Sequence, residues 1–131
     1  MKIENLENIV NGVFEKFNTI HDIESFLDFC GRGNIYFWSI ENAAAIYAQN
    51  PDAKFVATFN QWRNSGRYPK GNNTGMAVYP ANTSGVGGRF SDILYDVSDT
   101  KGKDISGAEI LNTGLKDTPI TDNKGVVKFY L

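Results

Sequence analysis

The stretch Ala53–Ser91, AKFVATFNQWRNSGRYPKGNNTGMAVYPANTSGVGGRFS, is where the chain changes from helical to strand-like patterning. Phe59 to Ser65 reads as a short helix, with Gly66 in the position that follows a helix end. Phe59 and Trp62 are three apart, so they share a helical face and are expected to anchor it to the core. Tyr68 to Gly75 is turn chemistry, and Gly71 can free the backbone for close approach to a ligand. Met76 to Tyr79 reads as a strand stopped by Pro80, Ala81 to Gly88 as a loop, and Arg89 to Val97 as the partner strand.

The same stretch concentrates the positive charge. It holds Lys54, Arg63, Arg67, Lys70 and Arg89 and no acid. Three basic and eight acidic residues precede it, and five basic and seven acidic residues follow, so the three parts carry −5, +5 and −2, summing to −2. Phe55, Phe59, Trp62, Tyr68, Tyr79 and Phe90 are interleaved with the cations. Cations meet phosphates and flat rings stack on unpaired bases, which is what a single-stranded nucleic acid asks of a surface.

Upstream, Ile3, Leu6, Val10, Val13, Phe14 and Phe17 recur at spacings of three and four, which predicts a helix over 3–17, slightly weakened by Gly12. A second helix is expected from about Asp22, an N-cap, with Ile23, Phe26, Leu27 and Cys30 as its apolar face and Gly31 and Gly33 closing it. Ser39 can cap a third helix from Ile40 to about Asn50, ended by Pro51. Asn42 in its first turn either bonds a neighbouring backbone group or braces the basic stretch that follows. The acidic outer faces of these helices read as solvated surface. Downstream, Lys101-Gly102-Lys103 reads as a turn, and Ile105 to Leu111 as strand or short helix. Thr118–Thr121 and Val126–Leu131 flank a hairpin connection at Asp122–Gly125. The expectation is one α+β domain over 1–131, helical over 1–66 and sheet-rich over 67–131, with N-terminal helices packed on a small antiparallel β-sheet.

At 131 residues and 41% apolar composition, a core can form without staples. The single cysteine, Cys30, rules out an internal disulfide, and the opening MKIENLEN is no signal peptide, so the cytoplasm is the expected compartment with no membrane partner. A pI near 5.3 argues against duplex binding driven by bulk charge. Catalysis is not expected. His21 sits in a polar turn, HExxH and paired Cys/His spacings are absent, and Cys30 lies on an apolar helix face. Ser84-Gly85-Val86-Gly87-Gly88 fits no phosphate-loop pattern, and Asp92, Asp96 and Asp99 read as surface acids at a strand end. No metal and no cofactor are expected.

Residues 39–100 resemble the N-terminal domain of ArdC-like (LtrC-like) antirestriction proteins of plasmids and other mobile elements. The likeness rests on Ser39, Asn42, Ile46, Gln49, Pro51 and Ala53, then Phe59, Trp62, Gly66-Arg67, Lys70-Gly71, Gly75 and Pro80. It ends on Tyr95-Asp96-Val97-Ser98-Asp99-Thr100, similar to a family block with glutamine where Asp99 stands. It covers about half of the 131 residues. The resemblance implies single-stranded DNA binding in the protection of invading DNA. Several members carry a zinc metalloprotease-like domain after this one, so the chain is expected to be an excised domain or a stand-alone form from a phage or mobile element.

The candidate interface residues follow. Arg63, Arg67 and Lys70 are phosphate contacts, joined by Lys54 and Arg89 if the fold brings them to one face. Tyr68 is the stacking ring, Trp62 is either a stacking ring or core, and Asn72 with Asn73 either reads base edges or serves a turn. A non-enzymatic single-stranded DNA-binding module is the leading expectation. The alternatives are a module that binds a host defence or replication protein, and a targeting domain cut from a larger DNA-processing enzyme.

Overall fold

A computed structural model of the chain describes residues 1–80 and 90–103. The expected loop Ala81–Gly88, Arg89 and everything expected from 104 onward, including the hairpin, lie outside the described residues.

The first three helices are Ile3–Glu15 (α1), Ile20–Cys30 (α2) and Ile40–Gln49 (α3). The fourth, Phe59–Asn64 (α4), follows a short strand Val56–Ala57 (β1). Arg67–Pro69 (β2), Met76–Val78 (β3), Asp92–Asp96 (β4) and Thr100–Gly102 (β5) complete the described strands. The fold is α+β: helices pack on a three-stranded antiparallel sheet in the order β1-β4-β3, beside a separate antiparallel ribbon of β2 and β5.

Leu6, Val10 and Val13 line the buried stripe of α1. They meet α3, whose Ala43-Ala44-Ala45 run lets backbones approach closely and whose Ile46 continues into the sheet residues Val56, Met76, Val78 and Leu94. Of the expected apolar face of α2, Phe26 is buried and Cys30 half-buried, but the structure corrects Ile23 and Leu27: both are exposed, and Phe29 is buried instead. The reason is aromatic packing. Phe26 stands edge-on to Phe14 and Tyr47 at centroid distances of 6.1 and 5.5 Å, and Phe29 lies 5.0 Å from Tyr47. Two large rings bury more apolar area than the aliphatic pair would.

Helix α2 also starts earlier than its apolar spacing suggests. Thr19 is the N-cap, and its hydroxyl accepts from Asp22 N at 3.2 Å while Asp22 Oδ2 accepts from the N–H groups of Asn18 and Thr19, each at 3.0 Å. Chiefly the Asn18 N–H, then the Thr19 hydroxyl, hold the Asp22 carboxyl below its ordinary range. A depressed folded-state pKa means stabilisation that is complete above the ordinary carboxylate value of about 4 and lost as pH falls through the folded value. Asp22→Asn therefore lowers the melting temperature at pH 7, and the difference from the parent closes as scans move toward pH 2.

Both edges of the three-stranded sheet are closed by side-chain amides. On the β3 edge, Asn42 pairs with the backbone of Tyr79 (Nδ2 donates to O at 3.1 Å, and Oδ1 accepts from N at 2.7 Å). Two helical turns on, Gln49 does the same for Ala77, with both bonds at 2.8 Å. On the β1 edge, Asn34 pairs with Val56 at 2.7 and 2.8 Å. Each amide presents the donor and acceptor that a further strand would offer, so the outward backbone groups of Val56, Ala77 and Tyr79 are already paired. Asn42 thus braces the stretch that follows it, the sharper of its two expected roles, while its own N–H is bonded by Ser39. Gly33 lets Asn34 reach its place: its φ is +47°, and a Cβ there would stand 1.9 Å from Lys54 O.

Candidate nucleic-acid interface

Thr58-Phe59-Asn60-Gln61 is a capping box. Thr58 Oγ1 accepts from Gln61 N at 3.2 Å, and Gln61 Oε1 accepts from Thr58 N at 2.8 Å. The helix it starts runs for only six residues. Trp62 fixes it to the sheet, being 1% exposed with its indole N–H donating to Tyr95 O at 2.8 Å. Of the two expected roles of Trp62 the structure bears out core, and Trp62 leaves the candidate interface, since both its ring and its donor are already used. Phe59 is corrected in the other direction. It is 45% exposed, because the first residue of so short a helix lies past the edge of the core that Trp62 fills.

The ribbon carries the rest. Arg67 stands opposite Gly102, Tyr68 opposite Lys101 and Pro69 opposite Thr100. The sequence reads both segments as turns, and the structure makes them strands, extended by Lys70 N to Asp99 O at 2.8 Å and Lys103 N to Gly66 O at 3.1 Å. Gly102 is required at its position: its φ is +135°, and a Cβ would come within 2.3 Å of Gly66 O. Gly71, by contrast, has no positive φ and open space where a Cβ would be, so the freedom expected of it is unused.

Arg67 is corrected from phosphate contact to strap. Its Nε donates to Thr100 Oγ1 at 2.9 Å, Nη2 to Thr100 O at 2.9 Å and Nη1 to Lys103 O at 2.7 Å, tying the strands together. Carbonyls are not counter-charges, so its cation still adds positive field to the ribbon. Lys70 is exposed and its Nζ donates to Ser98 O at 2.9 Å, a single surface bond that a phosphate can replace. Arg63 is exposed on the last turn of α4. Tyr68 is 47% exposed, and its ring meets Phe59 edge-on at 6.4 Å. Lys101 and Lys103, both exposed, are two interface cations that sequence reasoning misses. Their alternation in Lys101-Gly102-Lys103 is the only signal, and its meaning depends on the pairing with β2.

Two candidates fall elsewhere. Lys54 is exposed on the approach to β1, where its backbone N–H donates to Asp96 at 2.7 Å, and no hydrogen bond joins its side chain to the ribbon. Asn72 is exposed in the turn after β2, while Asn73 turns inward and accepts from Gly75 N at 2.8 Å. The acids also need correcting. Asp96 is 2% exposed, a buried hub and not surface charge. Among the described residues no ion pair neutralises Arg63, Lys70, Lys101 or Lys103, and no group of three or more His, Cys, Asp and Glu could hold a metal ion. Cys30 is half-buried, and burial raises its thiol pKa, which disfavours the thiolate. Among the described residues no helix is long and apolar enough to cross a membrane.

Comparison of the chain with protein-family models, with curated proteins and with solved structures finds no match.

Proposed function

We propose that the chain is a non-enzymatic module that binds single-stranded DNA on the face formed by α4, β2 and β5. One observation carries the reading: the exposed Phe59–Tyr68 ring pair stands among Arg63, Lys70, Lys101 and Lys103 with no ion-paired carboxylate among the described residues. Tyr68 and Lys101 are direct cross-strand neighbours, so a base stacked on the ring leaves its phosphate beside the ammonium. Rings accept any base, so sequence preference is low. Through the resemblance at residues 39–100, the setting is an antirestriction-type protein of a mobile element or phage, acting in the cytoplasm.

Fluorescence anisotropy with a labelled single strand and its duplex, each at two salt concentrations, tests this. The single strand binds more tightly. With four cations on phosphates the log–log salt slope is about −3. A flat titration, or equal affinity for duplex, sinks the proposal.

A second reading has its own observation. Ile20, Ile23 and Leu27 form an exposed apolar stripe on α2, being 74%, 42% and 57% accessible. Such a stripe suits a protein partner, for instance a host defence or replication protein, or the remainder of a larger DNA-processing enzyme. A specific partner that stays bound after nuclease treatment, with no oligonucleotide binding, selects this reading.

A further inference from the structure

The helical half of the molecule holds a cleft of about 640 Å³ between α1, α2 and α3 that shares no residue with the ribbon face. Its size falls within the range of small-molecule sites, roughly 300–1,000 Å³. Gly12 of α1 lines it. A glycine inside a helix destabilises it relative to alanine, so its presence asks for a reason. The backbone supplies none, since Gly12 has no positive φ. Packing supplies none either, since a Cβ there would meet nothing within 4 Å. What the missing side chain leaves is open space on the wall of the cleft.

The lining has a definite chemistry. Val13 and Phe17 give one apolar wall and Tyr47 the other. Phe17 and Tyr47 are held rigidly by Phe26, at centroid distances of 5.4 and 5.5 Å. Lys16 and His21 stand on the lining with no ion pair or hydrogen bond among the described residues, and the Tyr47 hydroxyl likewise has none. Asp22 also lines the cleft, but its carboxylate is engaged by the Asn18 and Thr19 N–H groups. Lys16, His21 and Tyr47 bring an ammonium, an imidazole and a hydroxyl to a lining that also carries the rings of Phe17 and Tyr47. That set fits a flat apolar body bearing a single negative charge. A cation would face Lys16, and a dianion would place a second negative charge beside the Asp22 carboxylate.

We infer that this cleft is a second ligand site, independent of the nucleic-acid reading, for a small aromatic monoanion such as an aryl carboxylate.

The test is an amide ¹H–¹⁵N titration of the full chain with 2-naphthoate, run beside the neutral 2-naphthamide. Saturable shifts centred on Gly12, Lys16, His21 and Tyr47 are expected, with the amide about two- to fivefold weaker because it lacks the charge that the exposed Lys16 meets. Gly12→Leu fills the cleft and abolishes saturation, with a dispersed spectrum as the folding control. Lys16→Gln brings naphthoate down to the affinity of the amide without depending on that filled variant. Shifts that are linear in ligand and spread over the surface overturn the inference. So does a Lys16→Gln variant that binds naphthoate like the parent, or a folded Gly12→Leu variant that still binds.

Discussion

Asp96→Ala lowers the unfolding free energy by about 3–5 kcal/mol, a large part of the 5–15 kcal/mol that holds a typical domain together. The carboxylate is 2% exposed and accepts four hydrogen bonds. Oδ1 takes the N–H groups of Lys54 and Phe55 at 2.7 and 3.2 Å. Oδ2 takes Ser98 N at 3.0 Å and Ser98 Oγ at 2.5 Å. Alanine removes every acceptor at once. The donors are only partly buried, since Lys54 and Ser98 are exposed and Phe55 half-buried. Each one left unpaired therefore costs about 1 kcal/mol, at the low end of the roughly 1–3 kcal/mol range, and the cavity left by the buried side chain adds the rest. Asp96 joins the approach to β1 with the turn Val97–Asp99, from which β5 departs, so its loss also releases the ribbon. Asp96→Asn keeps the volume and one acceptor and falls between alanine and the parent. Urea denaturation with a fixed m-value reads both variants. An Asp96→Ala protein within 1 kcal/mol of the parent would show that the four bonds are replaceable by solvent.

The residues that carry the antirestriction resemblance take on a physical meaning here. Asn42 and Gln49 close the sheet edge, Asp96 and Ser98 build the turn, and Thr100 Oγ1 donates to Val97 O at 2.7 Å while accepting from Arg67. They are polar groups that secure a fold, and none of them needs a ligand to account for its place.

How much of this was legible in the sequence follows from the range of each interaction. The spacing of Leu6, Val10 and Val13 marks α1 because i, i+3 and i+4 positions share a face on any helix. Ser39 marks the start of α3, and Gly66, at φ +83°, the end of α4, because capping is local. The capping box Thr19–Asp22 is equally local, and taking Asp22 as the cap itself sets the start of α2 too late, whereas the start of α4 at Phe59 agrees with its box Thr58–Gln61. The ribbon is different. Arg67–Pro69 and Thr100–Gly102 are three residues each and contain Pro and Gly, so neither has strand propensity of its own. They become strands only through pairing across 33 residues, where Arg67 bonds Thr100. That long-range pairing brings Lys101 and Lys103 to Tyr68. It also consumes Arg67, whose sequence neighbours hold no carboxylate and so gave no warning of carbonyl partners.

The second large effect is expected at the ribbon and divides into two independent parts. Arg63→Gln/Lys101→Gln/Lys103→Gln removes three exposed cations whose side chains hold no hydrogen bond among the described residues, so the melting temperature changes little. If each meets one phosphate, the single-strand salt slope becomes shallower by about 2, and affinity at 0.1 M salt falls roughly a hundredfold. Tyr68→Ala acts through stacking. It costs about 1–3 kcal/mol, some five- to 150-fold, and leaves the salt slope where it was. Tyr68→Phe keeps the ring and the affinity. Anisotropy titrations of the three variants across 50–200 mM salt separate the parts, because charge moves the slope and stacking moves only the intercept. Arg67 is excluded from the set, since removing it would untie β2 from β5 and confuse lost contact with lost structure. A triple variant with an unchanged slope would mean that these lysines and this arginine never meet phosphate. Tyr68→Ala binding like the parent would mean that no base stacks on the ring. Either result alone removes one half of the physical case for a single-strand interface, and both together leave the exposed rings to a protein partner.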